Sequence, residues 1–266
     1  MSSQQKPQWL YVPEWLVDEV WHFPYAYKTF KKYIPPQALI LEVGFGSGRI
    51  LSRLAKELDC RCVGVDLEER AFESLSFFCE WHGVKVEAIK GSGFILPFKD
   101  NSFDVVYSEG VLEHFPQAQS EAMLREHVRV CREGGLVIVS VPNKFAVFHS
   151  LTKLLLGKRF LFYPERSLSS FELCQWMTKA GLTPIARDGF AFGCQFFMFK
   201  AFFLEQALPP WLEAITSKVL TLFQRTSIYH FQNPRLNSLI GFQTLVVGYR
   251  GIKETKPPTA PFQCLK

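Results

Sequence analysis

Three glycines at every second position separate an apolar run from a stretch with helical spacing. The sequence LILEVGFGSGRIL (39–51) places Gly44, Gly46 and Gly48 after the apolar run, and it predicts a strand, a tight turn and a helix. A dinucleotide-binding turn has the pattern G-x-G-x-x-G and holds a pyrophosphate at the helix N-terminus. The position of its third glycine is occupied here by Arg49. The spacing therefore favours a ligand that presents no phosphate to the turn.

Further polar residues lie where the later strands are predicted to end. Asp66 follows the apolar run RCVGV (61–65), 22 positions after Gly44. A carboxylate at this place suits a ribose, because it can accept hydrogen bonds from both hydroxyls of the diol. A nucleoside ligand is therefore expected. The other residues at these strand ends are Glu42 and Gly44 for the first strand, Ser92 and Gly93 for the third, and Ser108 and Glu109 for the fourth.

Strands and helices that alternate along the chain would position these residues. Strands are predicted at 39–43, 61–65, 84–89, 103–108, 136–141 and 241–249, and helices at 68–82 and about 118–131, the latter ended by Gly134 and Gly135. This alternation indicates an α/β fold whose mostly parallel sheet has helices on both faces. Ligands of such sheets bind outside the carboxyl ends of the strands. A chain of 266 residues with 48% hydrophobic content can form one large domain around this sheet.

Four segments together resemble a known family. LEVGFGSGR, VGVDLEE, GSGFILPFKDNSFDVVYSEGVLEHF and REGGLVIVSVPN are similar to the class I S-adenosylmethionine-dependent methyltransferases, most closely to the branch of quinone, sterol and small-molecule enzymes. The resemblance covers roughly residues 38–143. It implies a Rossmann-like sheet of seven strands, S-adenosylmethionine as the cofactor and S-adenosylhomocysteine as its product.

The resemblance also implies roles for individual residues. The turn at 44–48, which includes Phe45, would contact the methionine part of the cofactor, whose positive charge Glu42 would face. Asp66 would hold the ribose hydroxyls and Leu67 would lie against the adenine. Members of the family usually have Asp at the position of Ser92, where it accepts a hydrogen bond from the adenine amino group; a serine hydroxyl or a backbone group can also reach that edge. The predicted cofactor site is Glu42, Gly44, Phe45, Gly46, Gly48, Asp66, Leu67, Ser92, Gly93, Ser108 and Glu109.

Purely structural interpretations remain open for these residues. The glycines can form a tight turn and nothing more, and Glu42 can be a surface charge. Asp66 can cap the helix that begins near Glu68, alone or in addition to binding a ribose.

His114 is the candidate general base. The sulfonium methyl is already activated, so a base is needed only where the acceptor must lose a proton. His114 lies in GVLEHF just after the fourth strand, with Glu109 and Glu113 nearby. A structural or substrate-lining role for His114 is the alternative that this pattern favours.

Accessory segments are expected to determine the acceptor. Residues 1–37 are rich in aromatic side chains and predict a helical lid, in which Trp21, His22 and Tyr25 are substrate-lining candidates. The methyltransferase domain would span 38–251, with cap insertions at about 144–168 and 190–235. The phenylalanine-rich stretch 189–204 is compatible with core or homodimer packing, an apolar substrate pocket or contact with a membrane surface. We therefore expect a small, largely apolar acceptor: a quinone, a phenol or a lipid-like molecule.

Composition and charge exclude several other classes. The seven cysteines form no metal-ligand spacing with histidines, so reduced thiols and no metal site are expected. A net charge of +5 without a dense basic run does not indicate nucleic acid. The chain shows neither a signal-peptide pattern nor a spanning run, which predicts a cytoplasmic protein, with peripheral membrane contact left open, and residues 252–266 predict a disordered tail. A non-catalytic scaffold, supported by Ser92 and the unusual insertion, remains the functional alternative, and Arg49 disfavours a nicotinamide-dependent oxidoreductase.

Overall fold

The computed structural model describes residues 23–159, 164–191 and 233–251, together with the single position 218. Within these ranges seven strands form one sheet in the order β3-β2-β1-β4-β5-β7-β6. The first five strands pair in parallel, and β7 pairs antiparallel with both β5 and β6. The strands are β1 (Leu39–Val43), β2 (Arg61–Asp66), β3 (Glu87–Lys90), β4 (Phe103–Glu109), β5 (Cys131–Pro142), β6 (Thr183–Phe190) and β7 (Gln243–Tyr249). The predicted α/β class is confirmed.

Helices cover both faces of this sheet, as the alternation predicts. They are α1 (Phe23–Lys31), α2 (Arg49–Leu58), α3 (Glu69–His82), α4 (Gln117–Val130), α5 (Val147–Leu156), α6 (Ser170–Lys179) and α7 (Pro234–Ile240). Short 3₁₀ turns lie at Leu112–His114 and Gly157–Arg159. Since strand side chains alternate between faces, successive residues enter two separate cores. Ile40 packs with α1, α2 and α3, whereas Leu41 packs with α4 and α6.

Three predicted boundaries are wrong. The third strand begins at Glu87 instead of residue 84, β5 begins at Cys131 instead of residue 136, and α4 ends at Val130 without the two glycines. Gly134 and Gly135 lie inside β5, where the register with β4 shifts. A Cβ on Gly135 would lie 2.7 Å from the Asp104 carbonyl oxygen, so the glycines permit the irregular strand pairing that replaces a loop.

The segment that follows α1 contacts β6, the edge strand of the sheet. After α1, Lys32 Nζ and Tyr33 Oη both donate to Oδ2 of Asp188, at 3.0 Å each. Asp188 lies on β6 and its side chain is fully buried. The contact connects the segment before β1 to β6, the antiparallel strand at the edge of the sheet. The predicted lid is described only from residue 23, so Trp21 and His22 lie outside the described residues.

Several further expectations concern parts of the chain that the structure covers only partly. The five cysteines in the described ranges are thiols. The same ranges contain no cluster of three or more His, Cys, Asp or Glu side chains able to hold a metal ion. None of the helices described there has the length and apolar character needed to cross a bilayer. Residues 192–204 of the phenylalanine-rich stretch, most of the second insertion and the tail 252–266 lie outside the described residues.

Candidate functional site

The glycine turn after β1 has one side packed and one side open. All three glycines have positive φ, a conformation that L side chains rarely adopt. A Cβ on Gly44 would lie 2.6 Å from Val111 and one on Gly48 would lie 2.4 Å from Leu75, so these two positions have no space for a side chain. A Cβ on Gly46 would meet nothing within 4 Å. The backbone at Gly46 therefore faces open space at the carboxyl edge of the sheet.

Asp66 connects this turn to the next strand. Its Oδ2 accepts the Gly46 N–H at 2.9 Å, and its Oδ1 accepts the Glu68 N–H at 2.9 Å. The carboxylate thus orders the turn and the start of α3, although the N-cap residue of α3 is Glu68 itself. Each carboxylate oxygen keeps a second lone-pair site, so the ribose role stays a prediction.

Glu42 is a buried carboxyl group, and the interpretation as a surface charge is wrong. Only 3% of the residue is exposed, and its Oε2 accepts a hydrogen bond of 2.8 Å from Tyr107 Oη. Burial raises the pKa of Glu42 well above its ordinary value, the Tyr107 hydrogen bond opposes this shift, and the charges of Glu109 and Asp66 add to it. The inner wall of the site therefore favours a cationic ligand, which would restore the charged form of Glu42.

Two apolar side chains protrude where β2 and β3 end. Leu67 is 65% exposed and Ile95 is 80% exposed, which is unusual for side chains of this size. Between them the turn after β3 is ordered by Ser92, whose carbonyl accepts the Ile95 N–H and whose Oγ accepts the Phe94 N–H. A Cβ on Gly93 would lie 2.8 Å from Val43, so Gly93 lets this turn pack on β1. The exposed pair suits the faces of a planar ring.

The end of β4 carries buried polar groups. Ser108 is fully buried, and its Oγ has no hydrogen-bond partner among the described residues. Glu113 is 3% exposed, and its Oε2 also lacks a partner within the described ranges. His114 is more accessible; its Nδ1 lies 3.2 Å from the Pro164 carbonyl oxygen and its Nε2 lies 4.0 Å from Glu113 Oε1. The base role of His114 stays a prediction.

A buried ionic group lies behind this turn. Glu165 Oε1 is 2.8 Å from His149 Nε2 and 2.9 Å from Lys153 Nζ. Burial alone would raise the pKa of Glu165, but the hydrogen bond from His149 and the charge of Lys153 lower it. A persistent carboxylate therefore lies near Glu113.

An apolar groove of about 710 Å³ lies on the outer side of α5. It is next to the same edge of the sheet, because α5 follows the end of β5 and Ile240 precedes Gln243, which pairs with Pro142 at that end. Val147 and Leu154 are exposed here, at 67% and 79%. The lining residues are Lys144, Phe145, Val147, Ser150, Leu151, Leu154, Leu239 and Ile240.

The structure brings the predicted residues of β1, β2, β3 and β4 to one edge of the sheet. Tyr25 differs: it lies on α1 and packs against the core next to Phe30 and its neighbours, and its substrate-lining role stays a prediction. Sequence reasoning missed Ile95 and Tyr107, since neither the exposure of a side chain nor a cross-strand hydrogen bond has a local signature. Glu165 is about fifty residues from Glu113 along the chain, so only the fold could show that they are neighbours.

Comparison with known proteins identifies the same region. Residues 40–135 match a family model described as a methyltransferase domain. A sarcosine/dimethylglycine N-methyltransferase of Halorhodospira halochloris is 29% identical over 43% of this chain and 41% of its own length. A sterol 24-C-methyltransferase of Aspergillus fumigatus is 31% identical over 36% of this chain and 26% of its own. The chain thus spans less than half the length of these curated relatives.

A solved structure extends the likeness to most of the chain. A SAM-dependent methyltransferase from Thermotoga maritima, described as a possible histamine N-methyltransferase, superposes with a TM-score of 0.58. The two sequences are 21% identical, and the superposition covers 89% of this chain and 93% of the Thermotoga maritima protein. At this identity the superposition shows a shared fold.

Proposed function

Since residues 40–135 of the chain form a class I S-adenosylmethionine-dependent methyltransferase domain, we propose that the protein transfers the methyl group of S-adenosylmethionine to a small, largely apolar acceptor. The domain confirms the family resemblance and the fold expected from the sequence. The observation that carries the proposal is the open backbone at Gly46, held against Asp66 at the carboxyl edge of β1 and β2.

The cofactor would lie along this edge from β4 to β3. The turn at 44–48 and Glu42 would hold the methionine part, and Asp66 would hold the ribose hydroxyls. Leu67 and Ile95, two exposed apolar side chains, and Ser92 would hold the adenine. Gly93 keeps this turn close to β1, and Ser108 and Glu109 line the end of β4.

The chain itself contributes position and environment. S-adenosylmethionine supplies an activated methyl group on a sulfonium. Glu42 and Tyr107 provide a buried acidic wall that favours a cation, and the packed turn fixes where that cation lies. Holding the two reactants in line and away from water supplies much of a methyl transfer rate.

The apolar groove supports the nature of the acceptor. Its lining is aliphatic and aromatic apart from Lys144 and Ser150. Helix α5, which lines the groove, follows the carboxyl end of β5. Pockets for small molecules are typically apolar with few polar groups. A sterol methyltransferase among the relatives has a substrate of this kind by name. A quinone, a phenol or a lipid-like molecule is the proposed class.

The test begins with the cofactor and continues with acceptors. Calorimetric titration with S-adenosylmethionine, S-adenosylhomocysteine and NAD should give binding of the first two and none of NAD. Cofactor labelled on its methyl group is then incubated with a panel of phenols, hydroquinones, sterols and amines, and Leu154→Lys serves to block the groove. We expect transfer to apolar members that Leu154→Lys reduces. Transfer only to polar amines, unaffected by Leu154→Lys, would contradict the acceptor class.

A further inference from the structure

Glu113 is a buried carboxyl group at the turn that ends β4. It lies in the 3₁₀ turn Leu112–His114, directly after β4, and its side chain is only 2% exposed. Its Oε1 lies 3.6 Å from the position of a Cβ on Gly110, so the carboxyl group points at the turn that ends β4. Its Oε2 has no hydrogen-bond partner in the part of the chain that is described. A buried carboxyl oxygen without a partner is costly, and a ligand group that supplied the missing hydrogen bond would remove that cost.

The groups around Glu113 favour its protonated form. Burial raises the pKa of Glu113 well above its ordinary value, and the charges of Glu165 and Glu109 add to this shift. The backbone N–H of Glu113 itself and the charge of Lys153 act in the opposite direction. The effect of Lys153 is limited, because its ammonium already binds Glu165 at 2.9 Å and Ser167 Oγ at 2.9 Å. His149 is also bound to Glu165. The remaining titratable neighbour is His114, which lies in the same 3₁₀ turn as Glu113.

His114 connects Glu113 to the surface. A carbonyl oxygen can only accept, so the contact with Pro164 requires that Nδ1 carries a proton; in the neutral imidazole Nε2 then has the free lone pair. This Nε2 is the atom 4.0 Å from Glu113 Oε1. The His114 side chain is 36% exposed, compared with 2% for Glu113. A small rotation would therefore let the proton of Glu113 pass to His114 and from there to water.

We propose that Glu113 accepts the proton of the acceptor's O–H or N–H group and that His114 carries this proton to solvent. The inference rests on the proposed methyl transfer. The carboxyl group first loses its resting proton through His114, and a cation bound at the neighbouring edge favours the resulting carboxylate. The acceptor's oxygen or nitrogen then forms its bond to the methyl carbon while the sulfur–methyl bond breaks and its electron pair stays on sulfur. The O–H or N–H proton goes to the Glu113 carboxylate.

The experiment compares Glu113→Gln with wild type and with Glu121→Gln, a matched change at a glutamate of α4 that pairs with exposed Lys179. Gln has the shape of a protonated Glu, so Glu113→Gln should fold with an unchanged melting temperature at neutral pH. Infrared titration of the protein alone should show, at neutral pH, a protonated carboxyl band that Glu113→Gln removes, in addition to any band of the buried Glu42 carboxyl group, which Glu113→Gln leaves unchanged. In labelled methyl transfer to the best O–H or N–H acceptor of the panel, we expect kcat to fall about 100-fold or more. The KM for S-adenosylmethionine should remain unchanged.

Two further variants separate proton transfer from structural support. Glu165→Gln should move the rise of kcat with pH to lower pH, because the carboxylate that opposes ionisation of Glu113 is removed. His114→Ala should lose activity and regain part of it with added imidazole. An unchanged kcat or an unchanged pH profile in Glu113→Gln would overturn the proposal, as would the absence of the carboxyl band. Transfer only to acceptors that lose no proton, such as a thioether or a tertiary amine, would overturn it and leave the proposed function standing; no transfer at all would overturn both.

Discussion

Asp66 combines two duties in one carboxylate. It orders the glycine turn through Gly46 and the start of α3 through Glu68, while its remaining lone pairs face the edge at which the cofactor is proposed to bind. The structural interpretation and the functional one are therefore compatible. Substitution of Asp66 should therefore weaken the binding of the cofactor more than it lowers the stability of the free protein.

Replacing Asp66 with Ala should weaken S-adenosylmethionine binding by roughly 10- to 100-fold, because hydrogen bonds to a charged group contribute about 1.5–3 kcal/mol. Calorimetry measures the affinity, and circular dichroism checks that the fold persists. Asp100→Ala is the matched control, since Asp100 is exposed, lies in the turn before β4 and pairs with half-buried Arg129. Equal affinities of Asp66→Ala and wild type would argue against the ribose assignment.

Glu42 should make the free energy of unfolding fall as the pH rises. Its pKa is raised in the folded protein, so its contribution is fully present below the ordinary glutamate value of 4.5 and is lost as the pH rises through the folded value. Glu42→Gln removes this titration. The variant should therefore gain stability relative to wild type as the pH increases, by up to about 1.4 kcal/mol for each unit of pKa shift. Denaturant unfolding at several pH values measures it, and a difference that does not change with pH would refute the assignment.

At the scale of elements, helix α6 begins with a start signal formed by neighbouring residues. Ser169 Oγ accepts the Glu172 N–H at 3.2 Å, and Glu172 Oε2 accepts the Ser169 N–H at 2.8 Å, which completes a capping box. Local chemistry of this kind can be recognised from four residues. The glycines at 134 and 135 show the limit, because their role depends on the distant backbone of Asp104.

Ser169→Ala should lower the free energy of unfolding by about 1 kcal/mol, as is typical for loss of an N-cap. Thr178→Ala, which removes an exposed hydroxyl near the other end of the same helix, should change it by about 0.5 kcal/mol or less. Chemical denaturation of both variants gives the comparison. Equal losses would show that the capping box does not stabilise this helix.

At the scale of the molecule, the sequence predicts the sheet but only part of the site. The strands and the residues at their ends follow from apolar runs and from the resemblance to a family, both of which are local patterns. The pairs Glu42–Tyr107 and Glu113–Glu165 join residues about fifty or more positions apart. Such pairs depend on strand order and on the path of a connecting segment, and a single sequence does not encode them in any short pattern.

The contact of Asp188 with Lys32 and Tyr33 should stabilise the whole domain, because it connects the segment before β1 to β6. Asp188→Asn should cost about 1–3 kcal/mol, the usual penalty for unsatisfied buried partners. Asp100→Asn, at an exposed ion pair, should cost about 1 kcal/mol or less. Thermal and denaturant unfolding report both. A cost for Asp188→Asn no larger than that of the control would show that the contact is incidental.

The position of β7 between β5 and β6 has a consequence during synthesis on the ribosome. About a hundred residues separate the end of β5 from the start of β7. At about 5–20 residues per second, the outer edge of β5 waits on the order of 5–20 s for its partner strand. Throughout this interval a row of backbone N–H and C=O groups next to an apolar face is open to strands of other nascent chains. Slower translation of this stretch, or a shortage of chaperones that cover such edges, should therefore lower the yield of native protein more than the stability of the finished fold would suggest.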